Sequence, residues 1–177
     1  MAQKKNKGVK GKAFEKEFQS SCKKQDVFCT RLRDNQLSYT SEEKTYKQPY
    51  DFEVYLFPYL MCAELKATHL PSVSFEREKN QTNKKMLHYH QIDGLSKASQ
   101  YDGVFGVLLF DFLTSGTTYC LTIEKFMEFF NSNDKQSISE KDIMSLSPII
   151  VKKKLLRTTY EYDIKDIFAQ LQENSNQ

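Results

Sequence analysis

The sequence lacks any apolar run long enough to span a membrane, and no apolar stretch follows its Lys-rich beginning. We therefore expect no transmembrane helix and no signal peptide, and we expect a cytoplasmic protein with no membrane partner. The 177 residues are enough for one domain with its own core, which we assign to residues 9–171. Residues 1–8 are expected to form a disordered basic arm, and residues 172–177 a flexible tail.

Cysteine pairs of the C-x-x-C type are absent as well. The four cysteines are scattered through apolar segments, at Cys22, Cys29, Cys62 and Cys120. This spacing predicts reduced core thiols rather than a disulfide framework or a zinc site.

Charge of one dominant sign is also missing, because the net charge of +3 argues neither for nor against a nucleic-acid partner. Basic residues nevertheless cluster at three places: Lys4, Lys5, Lys7, Lys10 and Lys12; Lys84 and Lys85; and Lys152, Lys153, Lys154 and Arg157. Such clusters could form one phosphate-facing surface if the fold gathers them. Each cluster taken singly is more typical of solubility and of helix ends.

The stretch Pro49–Lys66 joins two short apolar runs, each with an acidic residue at its outer end. Its Phe, Tyr, Val and Leu residues, with Pro58 in the middle, predict two strands joined by a tight turn. Asp51 and Glu64 lie thirteen positions apart at the outer ends, so a hairpin brings the two carboxylates together. Alternation of side chains along a strand then places Glu64 and Lys66 on one face.

This acidic pair indicates a metal site. Two adjacent carboxylates repel each other unless a cation lies between them. Hard oxygen ligands with room for water suit Mg²⁺, or Mn²⁺ as a substitute. A lysine beside such an ion can hold an attacking water or stabilise charge on a phosphate. The alternative is a surface hairpin that carries a solvated Glu–Lys pair.

The rest of the chain predicts the elements of an α/β domain. In chain order we expect a helix from Gly11, a strand at Asp26–Arg33, the hairpin, a helix at Met86–Tyr101, a buried strand at Val104–Phe112, its partner at Thr118–Leu121 and small helices capped by Thr122, Ser139 and Asp163. Residues 34–48 and 68–85 are expected to be irregular. This order predicts a central mixed sheet with helices packed on both sides.

The motifs resemble those of a nuclease family. Gly11-x-x-x-Glu15 on a first helix, followed by Asp51 and Glu64-x-Lys66 on a hairpin, is similar to the PD-(D/E)XK nuclease core, which has a restriction-endonuclease-like fold. The segments GKAFEKEF, AELKAT, LHYHQIDGLSKA and VFGVLLFDF further resemble the RecU-type Holliday junction resolvases, over roughly residues 8–170. That family has a longer, stalk-like excursion before its catalytic Asp, which in this chain would fall in the short 34–48 stretch.

The resemblance implies a role for each matching residue of the catalytic site. Asp51 and Glu64 would ligate Mg²⁺ together with the carbonyl of Leu65, and Lys66 would position the nucleophilic water. Glu15 would approach the same site from the first helix, directly or through water. A further residue, Gln91 on the later helix, would brace the site or a phosphate.

DNA contacts are implied for residues around this site: Lys10, Lys12, Thr68, Lys84, Lys85, His88 and His90. For His88 and His90, a packed and satisfied side chain is the alternative to a DNA contact. Zinc binding by the two histidines is not expected, since no third soft ligand lies at a suitable spacing.

The implied function is resolution of four-way DNA junctions by paired symmetrical nicks, in recombination and repair. Because such a junction is two-fold symmetric, we expect a homodimer with one site for each nicked strand. Phe126, Phe129 and Phe130 would serve either the dimer interface or the monomer core. Two other functions stay open: another endonuclease of the same core, and a non-catalytic DNA-binding protein on that scaffold.

Overall fold

A computed structural model of the chain describes residues 6–32, 47–79, 81 and 85–175. Residues 1–5 of the predicted basic arm, residues 34–46 of the predicted loop, Lys84 and the last two residues of the predicted tail lie outside this range. Among the described helices, none has the length and apolar character that a membrane span requires.

The described residues form five helices and ten strands. The helices are α1 (Asn6–Lys24), α2 (Tyr89–Ala98), α3 (Ile123–Ser132), α4 (Glu140–Ser145) and α5 (Ile164–Ser175). The strands are β1 (Phe28–Arg31), β2 (Phe52–Leu56), β3 (Tyr59–Thr68), β4 (Ser72–Ser74), β5 (Val104–Phe112), β6 (Thr117–Thr122), β7 (Ser137–Ser139), β8 (Ile149–Ile150), β9 (Lys153–Leu155) and β10 (Tyr160–Tyr162).

A mixed six-stranded sheet in the order β1-β2-β3-β5-β6-β8 forms the centre of the fold. Strands β3 and β5 run parallel, with α2 in the connection between them, while their outer neighbours pair antiparallel. Two small antiparallel sheets, β4 with β7 and β9 with β10, complete the structure. The predicted central mixed sheet is therefore confirmed.

Helices cover both faces of the large sheet. Helices α1 and α5 pack on one face, where Phe14, Phe18 and Phe168 are buried. Helices α2, α3 and α4 pack on the other face, where Ile92 and Phe126 are buried. Burial on both faces explains why β5 is an almost continuous apolar run rather than an alternating one.

The hairpin forms as the sequence predicts. Strands β2 and β3 pair antiparallel around the turn at Phe57-Pro58, with Phe52 opposite Ala63. The next residues outward are Asp51 and Glu64, so the register brings the two acids to the same end of the hairpin. All four cysteines are free, and Cys22, Cys62 and Cys120 are buried as predicted, whereas Cys29 is only partly buried.

Several predicted boundaries are wrong. Helix α1 begins at Asn6, five positions before Gly11, so residues 6–8 of the predicted disordered arm are helical. Helix α2 begins only at Tyr89, because the residues before it are extended and pair with the segment that follows β4. Strand β4 itself lies within residues 68–85, which were predicted to be irregular.

The aromatic residues of α3 belong to the monomer core. Phe75 contacts the rings of Phe126, Phe129 and Phe130, with ring centroids 5.3, 6.4 and 5.6 Å apart. Phe126 and Phe129 are buried by this packing. The structure thus favours the core over a dimer interface for this cluster.

Candidate active site

Glu64 is a fully buried carboxylate near the middle of a central strand. It lies in β3, which is flanked by β2 and β5, and its residue is 0% exposed. Alternation along β3 directs Glu64 and Lys66 to the face covered by α2, and Leu65 to the face covered by α1. An ionisable group in such a place is costly unless polar partners or a cation compensate its charge.

The two oxygens of Glu64 have different surroundings. Oε1 accepts a hydrogen bond from Gln91 Nε2 at 2.6 Å and forms an ion pair with Lys66 Nζ. Oε2 is buried and accepts no hydrogen bond from any residue that the structure describes. The carboxylate is therefore held in place on one side and left with a free acceptor on the other.

Asp51 lies beside Glu64, just before β2. Its Oδ2 accepts a hydrogen bond from the Leu65 N–H at 3.0 Å, and its own N–H donates to the Ala63 carbonyl at 3.1 Å. In a strand the N–H and C=O groups of one residue point to the same edge, so the Leu65 carbonyl lies on the side of β3 that faces Asp51. Asp51, Glu64 and this carbonyl thus form a compact group of oxygen atoms.

The electrostatics of Glu64 reflect this crowding. Burial is the largest effect on the pKa of Glu64; Lys66 lowers it, Asp51 raises it further, and the net result is a pKa of about 8. Without a cation the folded protein therefore retains a proton on Glu64 at neutral pH. A divalent ion at Oε2 would favour the ionised form instead.

Glu15 on α1 lies near the carboxylates of Asp51 and Glu64, but its own ion-pair partner is Arg31. Burial, and next the Asp51 carboxylate, raise the pKa of Glu15, and Lys66 is close enough to lower it. The Glu15 carboxylate binds Arg31 of β1, with Oε2 and Nη2 2.7 Å apart. The structure thus brings Glu15 near the site, as the sequence predicts, and holds it there with a cation.

The oxygen atoms of Asp51, Glu64 and the Leu65 carbonyl fit a hard divalent ion. Among the residues that the structure describes, no three His, Cys, Asp or Glu side chains cluster closely enough to bind a metal. Two carboxylates and a carbonyl would therefore leave room for several waters, which is typical of Mg²⁺. The buried, unpaired Oε2 of Glu64 is the observation that supports such a ligand set.

An open cleft of about 750 Å³ adjoins the carboxylate of Asp51. Asp51 and Gln91 line it from the acidic side, and the cations Lys12, Arg31 and Lys47 line it from α1, from β1 and from the chain before β2. A cleft with acids at one point and cations around them suits a polyanion whose reacting phosphate meets the acids.

Two histidines line the same cleft. His88 and His90 stack with their ring centroids 5.5 Å apart, and His88 Nδ1 lies 2.8 Å from Glu76 Oε1. The other oxygen of Glu76 accepts the Tyr89 N–H at 2.9 Å. Burial, and next the neighbouring His88, lower the pKa of His90.

Some of the residues predicted to contact DNA line the cleft, and others lie elsewhere. Lys12, His88 and His90 line the cleft. Thr68 does not reach it, because its side chain is buried and its hydroxyl accepts the Leu70 N–H at 2.9 Å. Lys85 is likewise not among the lining residues, and it donates to Gln136 at 2.9 Å. The Lys10 side chain and Lys84 lie outside the described residues.

Three charged residues of the site were not predicted from the sequence. Arg31 and Lys47 line the cleft, and Glu76 binds His88. The alternation of buried Val73 and Phe75 was a signal that the chain before Glu76 is extended rather than irregular.

Comparison with known proteins identifies the fold. No protein-family model matches the chain, and no curated protein sequence matches it significantly. Among solved structures, it is similar to Hjc of Archaeoglobus fulgidus, described as a Holliday junction resolvase from an archaeal hyperthermophile. The TM-score is 0.52 at 11% identity, over 79% of this chain and 95% of that chain. The chain has a restriction-endonuclease-like α/β fold.

Proposed function

We propose that the protein is a metal-dependent DNA endonuclease that resolves four-way junctions by hydrolysing one phosphodiester bond in each of two strands. The observation that carries the proposal is the buried Glu64 carboxylate beside Asp51, with Oε2 unpaired among the described residues. A dead scaffold has no physical reason to keep one acid against another inside its core.

Each residue of the site then has a chemical task. Asp51, Glu64 and the Leu65 carbonyl would hold Mg²⁺, which supplies a coordinated water of lowered pKa and neutralises phosphate charge. Lys66, with a side chain 16% exposed, would hold the attacking water and stabilise charge on the phosphate. Gln91 keeps Glu64 Oε1 occupied, which leaves Oε2 for the ion.

The cleft supports DNA as the substrate. Lys12, Arg31 and Lys47 present three cations around the acidic group, a pattern suited to successive phosphates of one strand. Branched DNA is the preferred substrate because the similar solved structure is a Holliday junction resolvase. The narrower assignment to the RecU type rests on the motif resemblance alone.

A homodimer is the natural assembly for this reaction. A four-way junction is two-fold symmetric, and symmetric nicking requires two sites related by the same axis. Equilibrium sedimentation of the purified protein, with and without junction DNA, measures this directly. A chain that stays monomeric on the junction would contradict paired nicking by one enzyme assembly.

The experiment that tests the function is a cleavage assay on matched synthetic DNAs. A four-way junction, a three-way branch, a flap and a linear duplex are each incubated with Mg²⁺, Mn²⁺ or EDTA. We expect paired symmetrical nicks in the four-way junction that disappear in EDTA.

The other outcomes separate the competing functions. Equal cutting of all four DNAs, or of linear duplex alone, would keep the nuclease and reject junction specificity. Tight binding without cutting in either metal would favour the non-catalytic DNA-binding protein.

A further inference from the structure

A buried carboxylate holds one of the two cleft histidines in a fixed orientation. Glu76 Oε1 lies 2.8 Å from His88 Nδ1, and Glu76 Oε2 accepts the Tyr89 N–H at 2.9 Å. The Glu76 side chain is 12% exposed, whereas that of His88 is 37% exposed. Because an ionised carboxylate only accepts hydrogen bonds, Nδ1 of His88 must carry a hydrogen, and Nε2 is the nitrogen left for the cleft.

This histidine is tied to the metal-binding carboxylate through a single side chain. The backbone N–H of His88 donates to Gln91 Oε1 at 2.9 Å, and Gln91 Nε2 donates to Glu64 Oε1 at 2.6 Å. His88 also lines the cleft that Asp51 lines. The imidazole therefore stands beside the proposed site of phosphate chemistry, with its orientation fixed from behind by Glu76.

The proposed reaction needs a proton donor that the metal ligands do not supply. When the phosphodiester bond breaks, the leaving deoxyribose oxygen must gain a proton or a second metal ion. In two-metal sites one ion serves the attacking oxygen and the other the leaving oxygen. Within the described part of the chain no three His, Cys, Asp or Glu side chains cluster as a metal site, and the two carboxylates of Asp51 and Glu64 suit one ion. The leaving oxygen then depends on a side chain.

We propose that His88 is the general acid of the reaction and that Glu76 is its positioning residue. This proposal rests on the proposed nuclease function. The oxygen of the attacking water bonds to phosphorus and the bond to the leaving oxygen breaks. That oxygen takes the Nε2 proton of the His88 imidazolium, and the N–H electron pair stays on the ring. The proton of the water passes to solvent, and solvent reprotonates His88 after product release.

The Glu76 carboxylate has a defined part in this step. Partial burial works against its ionisation, but the hydrogen bonds from the Tyr89 N–H and from His88 hold the pKa of Glu76 below its usual value. An ionised Glu76 accepts the Nδ1 hydrogen of His88 and so keeps Nε2 aimed at the cleft. Glu76 is thus expected to act through His88 rather than on the substrate.

Sulfur substitution at the scissile phosphate tests the general acid. His88→Gln keeps a hydrogen-bonding side chain but removes the proton donor. Its cleavage rate is measured on four-way junctions with the ordinary linkage, and with sulfur replacing the bridging 3′-oxygen or the bridging 5′-oxygen. A thiolate is a far weaker base than an alkoxide and leaves without a proton. We expect a loss on the order of 100-fold on the ordinary linkage. On the junction whose leaving atom is sulfur, we expect the variant to cut nearly as fast as wild type.

The outcomes distinguish this inference from the proposed function. If wild type cuts no junction, the nuclease function itself fails. If wild type cuts and His88→Gln is impaired equally on oxygen and sulfur linkages, His88 contributes binding or structure and the general-acid role is wrong. His69→Gln, an exposed histidine of the same chain, serves as the matched control and should cut both linkages like wild type.

A second readout addresses Glu76 without any cleavage. Long-range ¹H–¹⁵N correlation spectra report which ring nitrogen of His88 carries the hydrogen when the ring is neutral. We expect Nδ1–H in wild type and a shift toward Nε2–H in Glu76→Gln, which has one acceptor oxygen for two donors. An unchanged tautomer in a folded Glu76→Gln protein would overturn the positioning role.

Discussion

At the scale of single residues, the site is organised by one carboxylate whose two oxygens have different hydrogen-bonding partners. Glu64 Oε1 has Gln91 and Lys66 as partners, while Oε2 has no partner among the described residues. An unpaired buried oxygen costs roughly 1–3 kcal/mol, and more when it carries charge. The folded chain thus keeps an unpartnered acceptor in its core, and burial raises the pKa of Glu64 to about 8.

Stability of the metal-free protein should consequently fall as the pH rises. The pKa of Glu64 is about 8 in the folded chain, above the ordinary value of 4.5 to which unfolding returns it. Between these values the folded state holds a proton that the unfolded state has lost, so the stabilisation is complete at low pH and disappears as the pH passes 8. In urea unfolding with EDTA, wild type should lose about 3–4 kcal/mol more than Glu64→Gln between pH 5 and 8.

Two controls accompany this measurement. Saturating Mg²⁺ should flatten the fall in wild type, because the ion favours the carboxylate over its protonated form. Parallel pH profiles of stability for wild type and Glu64→Gln in EDTA would contradict this account, because they would show that loss of the Glu64 proton does not cause the fall in stability.

A substitution at Lys66 should affect the cleavage rate but not the affinity for the junction. The Lys66 ammonium pairs with Glu64, beside the carboxylates that would hold the ion. Lys66→Ala should abolish cutting, by on the order of 1,000-fold, and leave junction affinity within about threefold of wild type. The two quantities come from single-turnover cleavage and from fluorescence anisotropy in Ca²⁺. A loss of affinity as the main defect would count against a catalytic role for Lys66.

The residues that could be predicted are those whose spacing alone places them together. Asp51, Glu64 and Lys66 follow from hairpin geometry and strand alternation, and Gln91 was implied by the motif resemblance. Glu76 could not be predicted, because its partner His88 lies twelve positions further along a segment without periodicity. Pairing of side chains across irregular chain depends on tertiary packing, which no local pattern encodes.

At the scale of elements, the site depends on the contact between α2 and the chain that leads into β2. A Cβ added at Gly94 of α2 would lie 2.5 Å from Pro49 Cβ and 2.9 Å from its carbonyl oxygen. The helix therefore packs directly on the segment that carries Asp51. The same helix places Gln91 within hydrogen-bonding distance of Glu64. This close approach requires glycine at position 94.

A pair of glycine substitutions tests that contact. Gly94→Ala should lower the free energy of unfolding by about 1–3 kcal/mol, because backbone and proline ring cannot yield easily. It should also slow cleavage as Gln91 moves away from Glu64. The matched change Gly11→Ala places a methyl group in open space within α1 and should stabilise the protein by roughly 0.5–1 kcal/mol. Denaturant melts of both variants give the comparison, and equal stabilities would contradict the packing argument.

The elements that were missed are short strands whose partners are distant in sequence. Strands β4 and β7 have three residues each and pair through Val73 and Ile138, which are both buried. Each strand contains a single apolar residue, which is too short a pattern to predict a strand, so pairing and burial in the folded chain decide their conformation. By contrast β5 and the hairpin have long apolar runs and were predicted with nearly correct bounds.

At the scale of the whole molecule, the fold gathers some positive charges and disperses others. Lys12, Arg31 and Lys47 meet at the cleft although they come from separate parts of the chain. The basic cluster at residues 152–157 does not line the cleft. Lys153 is bound to the buried Asp111 at 2.9 Å, and Lys152 to Asp166 at 2.6 Å. The sequence reveals clusters of charge, but which of them form one surface depends on the topology.

Junction binding should therefore be strongly salt-dependent and specific to the cleft cations. The logarithm of affinity should fall linearly with the logarithm of salt concentration, because phosphate contacts release counterions. Lys47→Ala should reduce the slope by about 1, whereas Lys152→Ala removes an equal charge elsewhere and should leave it unchanged. Anisotropy titrations at several salt concentrations provide both slopes. Equal effects of the two variants would mean that net charge, rather than the cleft, drives binding.

The most direct test of the central claim is calorimetric titration of Mn²⁺ into the wild-type chain, Asp51→Asn and Glu64→Gln. If Asp51 and Glu64 hold a catalytic ion, wild type should bind one Mn²⁺ per chain and release a proton at neutral pH. Each variant should then bind at least about tenfold more weakly. Absence of binding in wild type, or equal binding in all three proteins, would contradict a metal-dependent reaction at this site.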